Sequence, residues 1–379
     1  MGSLLEQKCV MIIAGEASGD LHGAKLVQIM RQKHPSLFFC GIGGQALKKA
    51  GVRILVDASE LAVVGITEVF SKITGILKGL SVAQKSLKTL RPDLLILVDF
   101  PDFNLIVAAT AKKLNIPVLY YITPQVWAWR SGRVKKIGKL VKHVAVILPF
   151  EADFFRKHQV PVTFVGHPLL DSDHFSRGTT LEKPNEHNLT VGLLPGSRDG
   201  EIARHLPVML DAARILTGRI KNLKFIVSLA PTVERKYVEA FIAKHEAFNN
   251  VELYEDGVDK VFEKCRLVVA ASGTVTLEAA ISGTPMVIIY KVSPISYWLG
   301  RVLIRVKHIG LVNLIAGKKI VPELLQREAS PMKIADTVLR MLKDASGLER
   351  LRNELLRTRD LLGAPGASER VADIALNML

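Results

Sequence analysis

Two carboxylates, Asp99 and Asp102, stand at the end of an apolar run in the string Asp99-Phe100-Pro101-Asp102-Phe103-Asn104. A carboxylate at the mouth of a buried strand loses part of its water. Its charged form is disfavoured, its basicity rises, and it can take a proton from a hydroxyl. Asp102 can instead cap a helix beginning near Asn104. The spacing is D-x-x-D rather than the D-x-D of metal–diphosphate sites, so no metal is expected. A third carboxylate, Glu16, lies in Ala14-Gly15-Glu16-Ala17-Ser18-Gly19-Asp20, directly after the apolar run Cys9–Ile13. In the second half, Leu194-Pro195-Gly196-Ser197-Arg198 follows Leu189–Leu193 in the same way. A strand that opens through Gly and Ser into a helix leaves free backbone N–H groups at the positive helix end, which suits a phosphate. Ser272-Gly273-Thr274 opens another such helix, where Ser272 or Thr274 can cap and Glu278, one turn in, can accept from ribose hydroxyls. Neither half has a true G-x-G-x-x-G, and Gly41-Ile42-Gly43-Gly44 is a weak lookalike in the wrong place, so a dinucleotide cofactor is not expected.

These residues need elements to hold them. Strands are predicted at Cys9–Ala14, Leu37–Cys40, Leu94–Asp99, Val118–Ile122, Val144–Leu148 and Val162–Val165, alternating with helical stretches. The alternation restarts at Leu189–Leu193, Leu223–Leu229, Val251–Tyr254, Leu267–Ala271 and Met286–Tyr290. Such βαβ repetition makes parallel sheets with right-handed crossovers, and ligands bind at the carboxyl ends of their strands. The chain therefore reads as α/β, with two Rossmann-like domains facing a shared cleft. Residues 1–167 are expected to form a first domain, 168–188 a polar linker, and 189–360 a second domain. A last helix within 361–379 packs back on the first domain.

Composition narrows the function. The 379 residues are 49% apolar but only 6% aromatic, which supplies full cores of aliphatic side chains on parallel sheets. Three scattered cysteines, Cys9, Cys40 and Cys265, fit neither a disulfide framework nor a metal cluster and point to a reducing compartment. No run reaches the ~18 apolar residues of a spanning helix. The opening residues lack a basic stretch followed by an apolar one, so no signal peptide is expected. A net charge of +15 calls for an anionic partner. Nucleic acid is not expected, because the exposed aromatics needed across a wide basic face are absent.

Two segments bear on lipid. Between Ile66 and Leu80 apolar residues recur at helical spacing, joined upstream by Leu61, Val63 and Val64. Such a stripe is either core or, flanked by Lys72 and Lys78, an interfacial face. The expectation here is that Val64, Ile66, Val69, Phe70, Ile73, Ile76 and Leu77 face a membrane. The string Thr123-Pro124-Gln125-Val126-Trp127-Ala128-Trp129-Arg130 runs into a helix carrying Arg133, Lys135, Lys139 and Lys142. It reads either as core tryptophans beside a solvated face or as a site for acyl chain and lipid phosphate.

The glutamate string Glu278-Ala279 through Gly283-Thr284-Pro285 resembles the nucleotide-sugar motif of two-domain glycosyltransferases of the GT-B type. With the Gly-Glu-Ala-Ser-Gly-Asp loop, Leu61-Ala62-Val63-Val64-Gly65, the Asp99–Asn104 string, Pro124–Trp129, Gly166-His167-Pro168, Leu194–Arg198, Ser272–Thr274 and Asn313-Leu314-Ile315-Ala316-Gly317, nearly the whole chain resembles the lipid-A-disaccharide synthase family. Gln45 and Leu47 stand where the family pattern would have Pro and Met. The resemblance implies an inverting, metal-independent GT-B enzyme with no cofactor beyond its UDP-sugar donor. It would move 2,3-diacylglucosamine from UDP to 2,3-diacylglucosamine 1-phosphate (lipid X), giving a β-1,6 disaccharide 1-phosphate and UDP. It further implies Asp99 as general base, with Glu16 and Asp102 the other carboxylates to consider. Gly196, Ser197, Arg198, Ser272, Gly273, Thr274, Glu278 and Asn313 would line the nucleotide side. The enzyme would sit on the anionic cytoplasmic face of the inner membrane through the stripe and through Arg130, Arg133, Lys135 and Lys139. The oligomeric state is left open, a homodimer among the options. Other readings are a GT-B enzyme acting on UDP-N-acetylglucosamine, whether epimerase or transferase, and a non-catalytic nucleotide- or lipid-binding protein.

Overall fold

Runs such as Cys-Val-Met-Ile-Ile-Ala and Leu-Leu-Ile-Leu-Val are apolar on both faces, so they are stable only where helices cover both sides of the sheet. A computed structural model of the chain, describing residues 7–60, 69–129, 132–172, 189–245, 250–292 and 308–379, places them so. The chain divides into two units, Met1–Asp171 with Leu362–Leu379, and Ser172–Leu361.

In the first unit the described strands are β1 (Cys9–Ala14), β2 (Phe38–Gly43), β3 (Arg53–Asp57), β4 (Leu94–Val98), β5 (Val118–Tyr121), β6 (His143–Val146) and β7 (Val162–Phe164). They form one parallel sheet in the order β3-β2-β1-β4-β5-β6-β7. The chain runs outward from β1 to β3, returns, and runs outward again from β4. The topological switch point therefore lies between β1 and β4, where Ala14 pairs with Val98. One core face gathers Met11, Leu95, Leu97, Phe103, Val107, Tyr120 and Phe155. The opposite face packs Ile12, Leu26, Val27, Met30 and Ile96 against Val371, Ala372 and Ala375 of the C-terminal helix Ala367–Leu376. Asp171 caps that helix, accepting from the N–H groups of Gly366 (2.7 Å), Ala367 (3.1 Å) and Ser368 (3.0 Å). Pro168–Asp171, expected to begin a linker, is a 3₁₀ turn of this unit. Residues 173–188 lie outside the described ones.

In the second unit β8 (Thr190–Leu194), β9 (Lys224–Ser228), β10 (Val251–Tyr254), β11 (Leu267–Ala271), β12 (Met286–Tyr290) and β13 (Glu323–Leu325) repeat the arrangement. Their order is β10-β9-β8-β11-β12-β13, all parallel, with the switch point between β8 and β11. Two strands went unread in the sequence, β3 and β13. Both are short, partly buried edge strands that open on a charged residue, Arg53 and Glu323, and offer only two or three consecutive apolar positions.

The helix carrying the apolar stripe spans Val69–Leu90. Leu61, Val63, Val64 and Ile66 lie outside the described residues, as do the side chains of Val69, Phe70 and Ile73. Where side chains are described, the stripe divides. Ile76 and Leu80 pack on the core, which corrects the membrane-facing expectation for Ile76. Leu77 is 58% exposed.

Candidate active site

At the first switch point, the chain leaving β4 does something unusual. Asp99 (φ 47°) and Phe100 (φ 48°) both adopt the left-handed conformation. Each such non-glycine residue costs about 1–3 kcal/mol, so the surroundings must hold it. The Asp99 N–H donates to the carbonyls of Tyr121 (3.3 Å) and Ile122 (3.1 Å). The Asp99 carbonyl accepts from the Tyr120 hydroxyl (2.9 Å) and from Asn104 Nδ2 (2.5 Å). The Phe100 ring lies against Gly15, where an added Cβ would stand 2.4 Å from ring carbons. Only glycine at 15 leaves that ring in place.

This turn brings Asp99 beside Glu16, which begins the helix Ala17–Lys33. Burial pushes the Asp99 carboxyl up to about 6, the Glu16 charge adds to the rise, and the Phe100 N–H opposes it. Asp102 behaves differently. It lies in the first turn of the helix Pro101–Lys113, exposed, and pairs with Arg133 Nη2 at 2.6 Å. Its charge is matched in solvent, so it has no reason to act as a base. The same pair occupies Arg133, which was expected at a lipid surface. Lys135 and Lys139 are exposed, and Arg130 lies outside the described residues. Asp20, in the same loop as Glu16, is a fold residue: it accepts from the N–H groups of Gly44 (2.6 Å), Ala46 (2.8 Å) and Leu47 (3.3 Å).

Trp127 is anchored rather than free, and the side chain of Trp129 lies outside the described residues. Trp127 Nε1 donates to Glu151 Oε1 (2.9 Å), and its ring meets Phe150 edge-on at 4.8 Å. Glu151 is 2% exposed, and its other oxygen accepts from the Leu148 N–H (3.1 Å). Burial pushes its carboxyl up to about 7 despite those bonds.

At the second switch point, Gly196 (φ +125°) turns the chain out of β8, and a side chain there would collide with Glu201. The loop is held at three points. Glu201 Oε2 accepts from the Ser197 N–H (3.0 Å), Thr232 Oγ1 donates to the Ser197 carbonyl (2.7 Å), and His205 Nδ1 bonds the Pro195 carbonyl (3.0 Å). His205 Nε2 accepts from the Lys291 N–H (3.1 Å), which places the ring proton on Nδ1 and ties this loop to the end of β12. Arg198 is the N-cap position of the helix Asp199–Thr217 and is exposed. Across the switch point, Ser272, Gly273 and Thr274 lead from β11 into the helix Thr274–Ile281. The expected side-chain cap is missing. Gly273 holds the N-cap position, and Thr276 Oγ1 bonds the Gly273 carbonyl (2.8 Å) instead. The first-turn N–H groups of this helix are thus not taken by a capping side chain. Glu278 is half-buried, and burial, with a smaller push from Asp259, raises its carboxyl above the usual range.

Asn313 departs from expectation. It is fully buried in the helix Leu311–Ala316, and its amide is used within the protein. Nδ2 donates to the Val321 carbonyl (3.0 Å) and Glu323 Oε1 (2.7 Å), while Oδ1 accepts from the N–H groups of Ile320 (2.8 Å) and Val321 (3.0 Å). Its side chain knits this helix to the approach to β13. The structure thus groups Asp99 with Glu16, and Gly196–Arg198 with Ser272–Glu278. The side chains of Asp102 and Asn313 are bonded within the protein instead, to Arg133 and to Glu323 with the backbone at 320–321. Tyr120 and His205 were missed in the sequence. Tyr120 reads as one more apolar strand residue, and His205 as one polar residue on an amphipathic helix.

Comparison with known proteins identifies the family. Residues 10–375 match a family model described as lipid-A-disaccharide synthetase. A lipid-A-disaccharide synthase of Syntrophus aciditrophicus is 50% identical over 379 residues, covering 99% of each chain. One from Geobacter metallireducens is 49% identical, covering 98% of this chain and 97% of the other. Among solved structures, a UDP-GlcNAc 2-epimerase from Neisseria meningitidis superposes with a TM-score of 0.65 at 13% identity, covering 97% of this chain and 100% of that one. MurG of Acinetobacter baumannii does so at 0.59 and 16%, covering 98% and 99%. Those two likenesses speak for the GT-B fold alone. The sequence relatives separate synthase from epimerase, and the chain belongs to the lipid-A-disaccharide synthase family of glycosyltransferases.

Proposed function

We propose that this glycosyltransferase moves 2,3-diacylglucosamine from UDP to the 6-hydroxyl of 2,3-diacylglucosamine 1-phosphate, with inversion at the anomeric carbon. The observation that carries the chemistry is Asp99, a carboxyl raised to about 6 at the switch point beside Glu16. At neutral pH it is mostly ionised yet more basic than an ordinary carboxylate, which suits a general base. It takes the hydroxyl proton as the oxygen attacks. The new C–O bond forms as the bond to the diphosphate breaks, and UDP leaves with the electron pair. The second unit serves the leaving group. The Gly196–Arg198 loop and the uncapped helix start at Ser272–Thr274 offer N–H groups and one guanidinium to the diphosphate, and Glu278 accepts from the ribose hydroxyls. This charge stabilisation supports a reaction without a divalent cation.

Both sugars carry acyl chains, so we place the enzyme on an anionic membrane surface, the cytoplasmic face of the inner membrane. The net charge of +15 and the exposed Leu77 support peripheral attachment. Among the described residues no helix is long and apolar enough to cross a membrane. Mass spectrometry tests the reaction directly: UDP-2,3-diacylglucosamine plus 2,3-diacylglucosamine 1-phosphate should yield the tetraacyl disaccharide 1-phosphate and one UDP. Release of UDP without the disaccharide would refute it.

A further inference from the structure

Two consecutive non-glycine residues in the left-handed region will not stay there unaided. Beside the two bonds made by the Asp99 N–H, two side-chain donors meet at one atom, the Asp99 carbonyl oxygen. The Tyr120 hydroxyl reaches it from β5 and Asn104 Nδ2 from the helix Pro101–Lys113. Both side chains are completely buried. Asn104 is an expensive choice for that position, because its Oδ1 is buried with no hydrogen-bond partner. A leucine of similar shape would avoid that cost among Phe103, Leu105 and their neighbours. What asparagine supplies and leucine cannot is the Nδ2 donor. Rotation of the Asp99 backbone back to negative φ would move its carboxylate from its present place. Misplacement of a reacting group by about 1 Å is enough to cost on the order of 10²-fold in rate.

We propose that Tyr120 and Asn104 clamp the Asp99 carbonyl, and that this clamp aims the carboxylate at the acceptor hydroxyl. They are positioning residues, acting only through Asp99. The inference rests on Asp99 being the general base. The Phe100 ring on Gly15 adds a third hold and ties the turn to the loop that carries Glu16.

The test is a set of variants, Tyr120→Phe, Asn104→Leu and the pair, each made with and without Asp99→Asn. Turnover at saturating substrates, UDP affinity by calorimetry and thermal melting are measured for all. Each single change should lower kcat by about 3–10-fold and the pair by about 10²-fold, with UDP affinity unchanged within about 2-fold. In the Asp99→Asn background the pair should remove less than about 2-fold further, because the clamp has nothing left to aim. Near-normal turnover of the pair overturns the clamp. So does a loss in the Asp99→Asn background as large as in the native one, which would signal general damage. If the pair does not fold, the two single variants, each keeping one donor, give the same comparison. The two readings fail separately. An active Asp99→Asn refutes the base, whereas a dead Asp99→Asn beside full-speed clamp variants refutes the clamp alone.

Discussion

Asp99 owes its basicity to the place where its strand ends. Partial burial and the neighbouring Glu16 both favour its neutral form, and one backbone N–H is not enough to offset them. Asp99→Asn should therefore lower kcat by about 10²–10⁴-fold while UDP binding persists. The same substitution should also stabilise the fold, by an amount that depends on pH. The folded-state value, about 6, lies above the ordinary 3.8, so the neutral acid is fully accommodated below about pH 4. That contribution is lost as pH rises through 6. At pH 7.5 the asparagine variant should gain on the order of 2–3 kcal/mol, and at pH 4 nothing. Thermal melts at the two pH values decide it; equal shifts at both would show that ionisation is not the cause. Glu278 is tested by binding. Glu278→Ala should weaken UDP by roughly 1.5–3 kcal/mol, the range for a hydrogen bond to a charged group, and unchanged calorimetric affinity would remove it from the nucleotide site.

At the scale of elements, loops are held by side chains from the helices that follow them. Glu201 and His205 reach back from the helix Asp199–Thr217 to the loop at Gly196, and Asn104 reaches back to Asp99. Glu151 holds Trp127 from the helix Pro149–Lys157. Rigid loops at strand ends are what a site needs if its donors are to face a developing charge without reorganisation. Glu151→Leu leaves the Trp127 and Leu148 N–H groups without their acceptor, so stability should fall by about 1–3 kcal/mol and tryptophan emission should shift to the red. An unaltered emission spectrum would mean that the ring is held by packing on Phe150 alone.

For the whole molecule, the question is how a chain with no described spanning helix meets acylated substrates. The helix Val69–Leu90 offers a clean comparison. Leu77 is exposed and Ile76, its neighbour, packs on the core. Leu77→Ser should weaken sedimentation with anionic vesicles and leave the melt in place. Ile76→Ala should lower stability by on the order of 1–2 kcal/mol and leave vesicle binding intact. If both variants bind vesicles as the native chain does, this helix is not the contact. The charge logic of the second unit gives another whole-enzyme prediction. Activity should survive EDTA, and loss with rescue by Mg²⁺ would overturn the metal-free reading.

The sequence alone was enough for the βαβ alternation, the two sheets and the loops that matter, because buried parallel strands advertise themselves as apolar runs and ligand loops follow them as Gly, Ser and Asp. It also carried the family resemblance that the relatives bear out. It did not reveal β3 or β13, which open on the charged Arg53 and Glu323 and offer only two or three consecutive apolar residues. Nor could it rank the carboxylates in its own strings. Asp99 and Asp102 differ by three positions, yet one is desolvated beside Glu16 and the other lies in solvent against Arg133. Asp20 and Asn313 sit in motif strings and prove to be spent on backbone N–H groups and on Glu323. Ile76 and Leu77 are equally apolar, yet one packs on the core and the other is exposed. In each case the deciding quantities are solvent exposure and the partner within about 3 Å, and these are set by contacts between residues far apart in the chain. Spacing along the sequence reports which residues lie near a strand end. Only the packed structure determines which of them keep water, which lose it, and which are already bonded.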